Sequence, residues 1–579
     1  MKLRYLLPLA LISLLLFSCQ SKREVQLDII HTTDAHGRVF PYDFINDQPA
    51  DGGYLQVAHY VDSIRALKGR EVVLLDAGDI LQGQPSAYYF NFIDTTSVHV
   101  IARVMNSMQY DALTIGNHDI ETGHSVYDKF VKKINFPALA ANVRKKGTQE
   151  PYFSPYVIIH RAGLRIAVLG LTMPNLIHQL PEVLWEGLTF EDQISVAKEY
   201  LPEVLQKEPD FIIALIHSGA GSQNDEMRMF ATNVGYDIAK EIPELDLVLM
   251  GHDHRQTLDS IQHSDGSMTY LLNPANDARA ISHTRVTFTH GKEGRSVKVD
   301  SQLVVLRDGA PSQRLMDKYQ VDFEKIKEFV SVPVGNMTTP LNARSVFFGP
   351  SAFIDLIHQL QFFVYPEAQV SITAPLQEDG EIAEGPVYMR DLFKLYKYEN
   401  MLYLMDLTGA EIKGLLEESY NNWIMTMSKP EDPLLRLDSS KLGGRYLPFE
   451  VPTFNFDSAA GISYTVDVTK GKGNRVVVTK VGTEPFALDN HYKVAINSYR
   501  GNGGGGLLTE RGAGIPVLEL PSRVIKSTEK DLRWYLIDFL RDHDPFTPQI
   551  ISDWQFIPRS LVEPALVRDS LTLYSKPTT

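Results

Sequence analysis

Five short clusters in this chain carry the residue types of a metal site. Asp34 and His36 flank Ala35, and Asp79 follows Gly78. Asn117 and His118 stand together in Gly116-Asn117-His118-Asp119. His217 closes an apolar run, and His252 and His254 flank Asp253 after Gly251. Each cluster follows a short hydrophobic stretch, and histidines used only for packing would not all fall at such ends. Oxygen and imidazole donors without thiolate suit Zn²⁺, Mn²⁺, Fe or Co²⁺ and argue against a structural zinc. Two ions need a shared ligand. Asp79 can bridge them with its two oxygens at a separation of roughly 3.5–4 Å, where water held between them would become a nucleophile near neutral pH. The set reads as a two-metal hydrolase site.

The elements that must position these residues are legible as alternation. Apolar runs at 25–33, 72–76, 111–115, 165–171, 210–216 and 245–250 read as strands. Helical patterns over 54–67, 97–109 and 191–207 lie between them. Strands alternating with helices predict an α/β sheet with its ligands at the carboxyl ends of the strands. Residues 284–306 read as paired strands that close the first domain.

At 579 residues the chain exceeds one compact core, so two large domains are expected. A net charge of −15 argues against polymeric nucleic acid as a partner while allowing a small anionic substrate. The single cysteine, Cys19, ends a secretory signal: Lys2 and Arg4, an apolar run from Leu6 to Phe17, then Leu16-Phe17-Ser18-Cys19. That run resembles a bacterial lipobox. It predicts an exported monomer tethered to a bacterial membrane by lipid on Cys19, periplasmic or at the cell surface. The expected divisions are a signal at 1–19, a metal-binding domain at 20–310, a linker helix at 311–332, a substrate domain at 333–560 and a tail at 561–579.

The second domain offers aromatic residues for a nucleobase, since each base–aromatic stack contributes roughly 1–3 kcal/mol. Phe456 in Asn-Phe-Asp and Tyr499 in Ser-Tyr-Arg are the expected pair. Asn497 and Arg500 are placed to contact ribose or phosphate. Gly503 to Gly506 form a loop that permits close backbone approach, without the Lys-Ser/Thr of a Walker loop.

The five clusters resemble the calcineurin-like metallophosphoesterases. Their order, with the second domain, resembles the bacterial 5′-nucleotidase and 2′,3′-cyclic-nucleotide phosphodiesterase/3′-nucleotidase family over about residues 25–560. The resemblance implies a four-layer αββα metal domain and an α+β substrate domain joined by a helix. It implies Asp34, His36, Asp79 and His254 on one metal, and Asp79, Asn117, His217 and His252 on the other. His118 is implied to stabilise phosphoryl charge or to assist the leaving oxygen. Phe456 stands where the cyclic-phosphodiesterase branch often has Tyr, and two positions of the metal clusters also depart from the family's pattern. Glu121 stands where Asp or Asn is usual, so the partner of His118 is Glu121 or Asp119. Asp253 stands between the last two histidines, either as an orienting partner of a ligand or as a solvated loop residue.

Ser-Tyr-Arg-Gly-Asn-Gly-Gly-Gly-Gly and Asn-Phe-Asp-Ser-Ala-Ala-Gly-Ile-Ser-Tyr resemble the cyclic-phosphodiesterase branch. Ser371 to Pro375 lack the arginine of the 5′-nucleotidase branch. The expected activity is therefore hydrolysis of 2′,3′-cyclic nucleotides and 3′-nucleotides to nucleosides and phosphate. The alternatives are a 5′-nucleotidase or nucleotide-sugar hydrolase, and a lipoprotein that binds nucleotides without turnover.

Overall fold

The computed structural model describes residues 23–221, 232–291, 294–307, 309–441 and 447–574; Cys19 and the signal lie outside them. Two six-stranded sheets dominate the N-terminal half. In the first, Arg23–Thr32, Arg70–Asp76, Ala112–Thr114 and Ala138–Leu139 run parallel in that order. The long hairpin Ala280–Gly291/Gly294–Val305 pairs antiparallel against Arg23–Thr32. In the second, Leu164–Thr172, Phe211–His217, Leu247–Met250 and Met268–Pro274 run parallel, with an antiparallel strand at each edge.

Residue alternation explains the layering. Leu27, Ile29, Val73 and Leu75 point into a core shared with Ile166, Val168, Ile213 and Leu215 of the second sheet. Their neighbours Ile30, Val72 and Leu74 face the other way, toward the helices Tyr54–Arg65 and Val100–Met108. Ala167, Leu169, Ile212 and Ile216 likewise face the helices Gln193–Gln206 and Gly235–Glu241. Strands buried on both faces read as unbroken apolar runs, which is why the sequence shows them so plainly. The result is helix, sheet, sheet, helix.

The segment expected as one linker helix is two, Gln313–Lys318 and Gln320–Val330, broken at Tyr319. The break turns the Tyr319 hydroxyl onto Ser107 and the Arg103 carbonyl, and Arg103 grips Asp322 through both carboxylate oxygens. Beyond it, a five-stranded and a four-stranded mixed sheet form an α+β body. Most of the segment expected as a tail is instead the helix Arg559–Tyr574. Asp569 holds it in place by accepting from the Leu434 and Leu435 amides.

The two bodies meet beside the strand ends. The Arg533 guanidinium lies 4.6 Å from the Tyr88 ring and 4.3 Å from the Phe393 ring. The Tyr88 hydroxyl donates to Asp531 at 3.3 Å, and Asn502 donates to the Gln179 carbonyl at 3.3 Å.

Candidate metal centre

Each donor leaves the carboxyl end of a strand. Asp34 and His36 follow Arg23–Thr32, Asp79 follows Arg70–Asp76, and Asn117 follows Ala112–Thr114. His217 ends Phe211–His217, and His252 and His254 follow Leu247–Met250. The two sheets thus contribute to one site. The His252 amide donates to both Asp34 oxygens, at 3.0 and 3.2 Å, and ties the sheets together there.

The turns are tight. Asp34, His36, Asp79, His252 and His254 all have positive φ, between 47° and 72°. Such backbone costs on the order of 1–3 kcal/mol per residue and persists only where surroundings enforce it. Glycines permit the approach. A Cβ on Gly116 would lie 2.1 Å from Asp79 Oδ1, and one on Gly251 would lie 2.2 Å from Thr33 Oγ1.

Asp119 enforces the geometry. Its buried carboxylate accepts from the amides of Asp79 (3.0 Å), Gly116 (2.8 Å), Ile80 (2.9 Å) and Leu81 (3.0 Å). It is therefore not the partner of His118. That partner is Glu121, whose Oε2 lies 2.5 Å from His118 Nδ1. A helical turn from Asn117 to Ile120 brings these side chains together at i,i+3 spacing. Asp253 touches neither adjacent histidine through a hydrogen bond. It accepts from the Ala220 and Arg255 amides and from Asn273 Nδ2, and so braces its own loop.

The donors fall into two groups: Asp34, His36 and His254; and Asp79, His217 and His252. His36 Nε2 and His254 Nε2 are 3.0 Å apart, and His254 Nε2 is 3.2 Å from Asp34 Oδ1. Asn117 Oδ1 lies 3.0 Å from His217 Nε2 and 3.1 Å from His252 Nδ1, and His217 Nε2 is 3.1 Å from Asp79 Oδ2. Bonds of ~2.1 Å to one cation give donor–donor edges of ~3.0–3.4 Å, so these spacings fit two divalent cations. His217 Nδ1 is engaged by the Ala77 carbonyl at 2.7 Å, which turns Nε2 toward the cluster.

Charge gathers accordingly. Burial works against a charged His118, but the Asp79 and Glu121 carboxylates outweigh it and push the imidazole up to about 10. Burial drives the Asp119 carboxyl up to about 6, aided by the Asp79 charge. The second body reaches this field: Glu399 lies close enough to act on His118, and burial, aided by the Glu121 charge, pushes the Glu399 carboxyl up to about 8.

The expected substrate residues divide differently. Phe456 is fully buried. It stacks on Trp423 at 5.6 Å and packs edge-on against Phe449 and Phe347, so it is core and offers no face to a ligand. Asn497 is also buried, and its Oδ1 caps the following turn by accepting from the Arg500 amide. The Arg500 guanidinium is 1% exposed and bound to protein on several sides, so it does not face the cleft either. Tyr499 is half-buried and meets a half-buried Phe454 at 5.9 Å, ring perpendicular to ring. The aromatic neighbour of Tyr499 at this surface is thus Phe454 and not Phe456. The signal was the Phe-Asn-Phe spacing, in which two aromatics two apart alternate between surface and core.

Residues 27–256 match the family described as calcineurin-like phosphoesterase, and residues 333–510 match the 5′-nucleotidase C-terminal domain. The fold and site thus define a two-domain metallophosphoesterase. The chain is 25% identical to the trifunctional nucleotide phosphoesterase YfkN of Bacillus subtilis over 93% of its length, and spans 39% of that longer protein. It is 25% identical to the 2′,3′-cyclic-nucleotide 2′-phosphodiesterase/3′-nucleotidase of Haemophilus influenzae, covering 93% of this chain and 88% of that one. The crystal structure of a putative 5′-nucleotidase from Staphylococcus aureus superposes with a TM-score of 0.77 at 22% identity, covering 92% of this chain and 99% of that one. The chain belongs to the 5′-nucleotidase family of calcineurin-like metallophosphoesterases and is a metal-dependent phosphoester hydrolase.

Proposed function

We propose that this protein hydrolyses 2′,3′-cyclic nucleotides to 3′-nucleotides and then releases the 3′-phosphate. The observation that carries the phosphoesterase part of this reading is the pair of donor groups, with donor atoms 3.0–3.2 Å apart, beside the His118–Glu121 pair. Asp34, His36, Asp79 and His254 would hold one cation, and Asp79, Asn117, His217 and His252 the other, drawn from Zn, Mn, Co or Fe. Bound there, the cations would polarise the phosphoryl oxygens and lower the pKa of water. Glu121 fixes the His118 ring by engaging Nδ1, leaving Nε2 to hold a proton for the leaving ribose oxygen. Tyr499 and Phe454 take the base, in place of the pair Tyr499 and Phe456.

Relatives named 2′,3′-cyclic-nucleotide 2′-phosphodiesterase/3′-nucleotidase in Haemophilus influenzae, Yersinia enterocolitica and Salmonella typhimurium support the choice of ester. A relative named 5′-nucleotidase in Vibrio cholerae, 26% identical over 84% of this chain, supports the alternative. The test is turnover of 2′,3′-cyclic AMP, 3′-AMP and 5′-AMP in parallel with Mn²⁺, Co²⁺ or Zn²⁺, with products separated. Strong turnover of the first two and little of the third is expected; preference for 5′-AMP would move the assignment to the other branch.

The metal domain would occupy 20–310 and the substrate domain would begin at 333. Export and lipid attachment at Cys19 complete the proposal, with the protein acting as a monomer. Among the described residues no helix is long and apolar enough to cross a membrane. Mass spectrometry of the mature N-terminus tests the anchor: a diacylated Cys19 is expected, and an unmodified N-terminus would refute it.

A further inference from the structure

The aromatic pair sits on two separate loops. Phe454 belongs to the turn Thr453–Asn455, and Tyr499 to the turn Ser498–Gly501 at the end of the strand His491–Asn497. The placement of one ring relative to the other depends on what joins the two loops. One buried side chain touches both loops. Arg500 Nη2 donates to the Phe454 carbonyl at 2.7 Å and to Asn455 Oδ1 at 3.2 Å, and Nη1 donates to the Gly504 carbonyl. Asp457 sits 2.8 Å from Nη2, and both side chains are 1% exposed.

The glycine run is shaped around this guanidinium. A Cβ on Gly505, whose φ is +70°, would lie 2.0 Å from Asn455 Oδ1 and 2.4 Å from Arg500 Nη1. A Cβ on Gly504 would lie 2.6 Å from the Tyr499 ring. The Arg500 guanidinium carbon is 5.5 Å from the Tyr499 ring centroid, so cation and ring are neighbours in one packed unit. A planar fork with five donors can hold both loops at once; the point charge of a lysine cannot.

We propose that Arg500, paired with Asp457, is a positioning residue for base recognition: it fixes where Phe454 stands relative to Tyr499 and so governs affinity for the nucleoside, without touching the ligand. This rests on the nucleotide reading above. A buried ion pair that served only the fold would affect stability and leave substrate affinity alone.

The test uses the full chain loaded with Mn²⁺ and measures KM and kcat for 3′-AMP, with p-nitrophenyl phosphate as a substrate that has no base. Arg500→Met should raise KM for 3′-AMP about 10- to 100-fold, the span of one lost stack, while kcat at saturation falls by less than about 3-fold. Arg500→Lys should recover only part of this. Asp457→Asn keeps the shape if Arg500→Met unfolds the protein. It should raise KM in the same direction, and the double variant should be no worse than the worse single one, because the two act as a unit. A KM for 3′-AMP that none of the folded variants changes overturns the inference alone. A wild-type protein that turns over p-nitrophenyl phosphate but no nucleotide overturns the substrate reading, and this inference with it.

Discussion

The metal centre and the aromatic platform are built from the same materials with opposite results. Both stand on loops at strand ends, and both place Asp, Asn and Gly within a few residues of one another. At the metal centre the polar side chains face the cleft, and a further carboxylate, Asp119, braces them from behind through four backbone amides. On the platform the polar side chains Arg500, Asp457 and Asn497 are the buried frame, and the aromatic residues face outward. A residue type near a glycine therefore does not declare its role. What decides it is which side of the loop the backbone turns toward solvent.

The largest effect should come from the shared donor of the metal centre. Asp79→Asn is expected to lower turnover at least about 10³-fold and to cost one of two bound cations, measured by phosphate release and by elemental analysis of the purified protein. His118→Ala should lower kcat about 10²- to 10⁴-fold, the range of one acid–base group, with metal content retained. Should metal be lost as well, His118 belongs to the ligand set and the contrast between ligand and proton carrier fails.

Two substitutions sharpen the comparison of frame with face. Asp119→Asn should weaken metal affinity about 10- to 100-fold, measured by competition with a chelating dye. Two aromatic truncations set core against surface. Phe456→Ala should destabilise the fold by about 3–5 kcal/mol, read from thermal unfolding. Tyr499→Ala should chiefly raise KM for 3′-AMP, about 10- to 100-fold. Equal effects of the two on KM would erase the distinction between core and platform.

The smallest effect concerns pH. Asp76 is fully buried beneath the Asp79 loop, where burial pushes its carboxyl from 3.8 up to about 7 despite donation from Thr32, the Gly78 amide and Tyr54. An acid with a raised folded-state pKa contributes stability that is complete below its unfolded value and lost as pH rises through the folded one. Asp76→Asn cannot ionise. Its melting temperature relative to wild type should therefore rise by a few degrees between pH 4 and pH 7; a flat difference would place an ionised Asp76 in the folded protein at both.

The strands of the metal domain were legible because both faces are buried and the apolar runs are continuous. The seven donors were legible because their types recur at strand ends. The partner of His118 was not, since Glu121 and Asp119 lie equally near in sequence and only the helical turn separates them. Phe456 misled because Asn-Phe-Asp looks exposed by composition, whereas the chain turns that ring onto Trp423. Arg500 misled for a similar reason: a charged residue beside Tyr499 reads as a ligand contact until Asp457, distant in sequence, is seen to bury it. The break at Tyr319 and the helix at Arg559–Tyr574 depend on tertiary partners and leave little periodic trace.

The most direct measurement strips the full chain with a chelator, then adds Mn²⁺ stepwise while counting bound ions and following phosphate release from 3′-AMP. The geometry predicts no turnover without metal, two ions bound per chain, and full activity only with the second. Full activity with one ion, or with none, would contradict it.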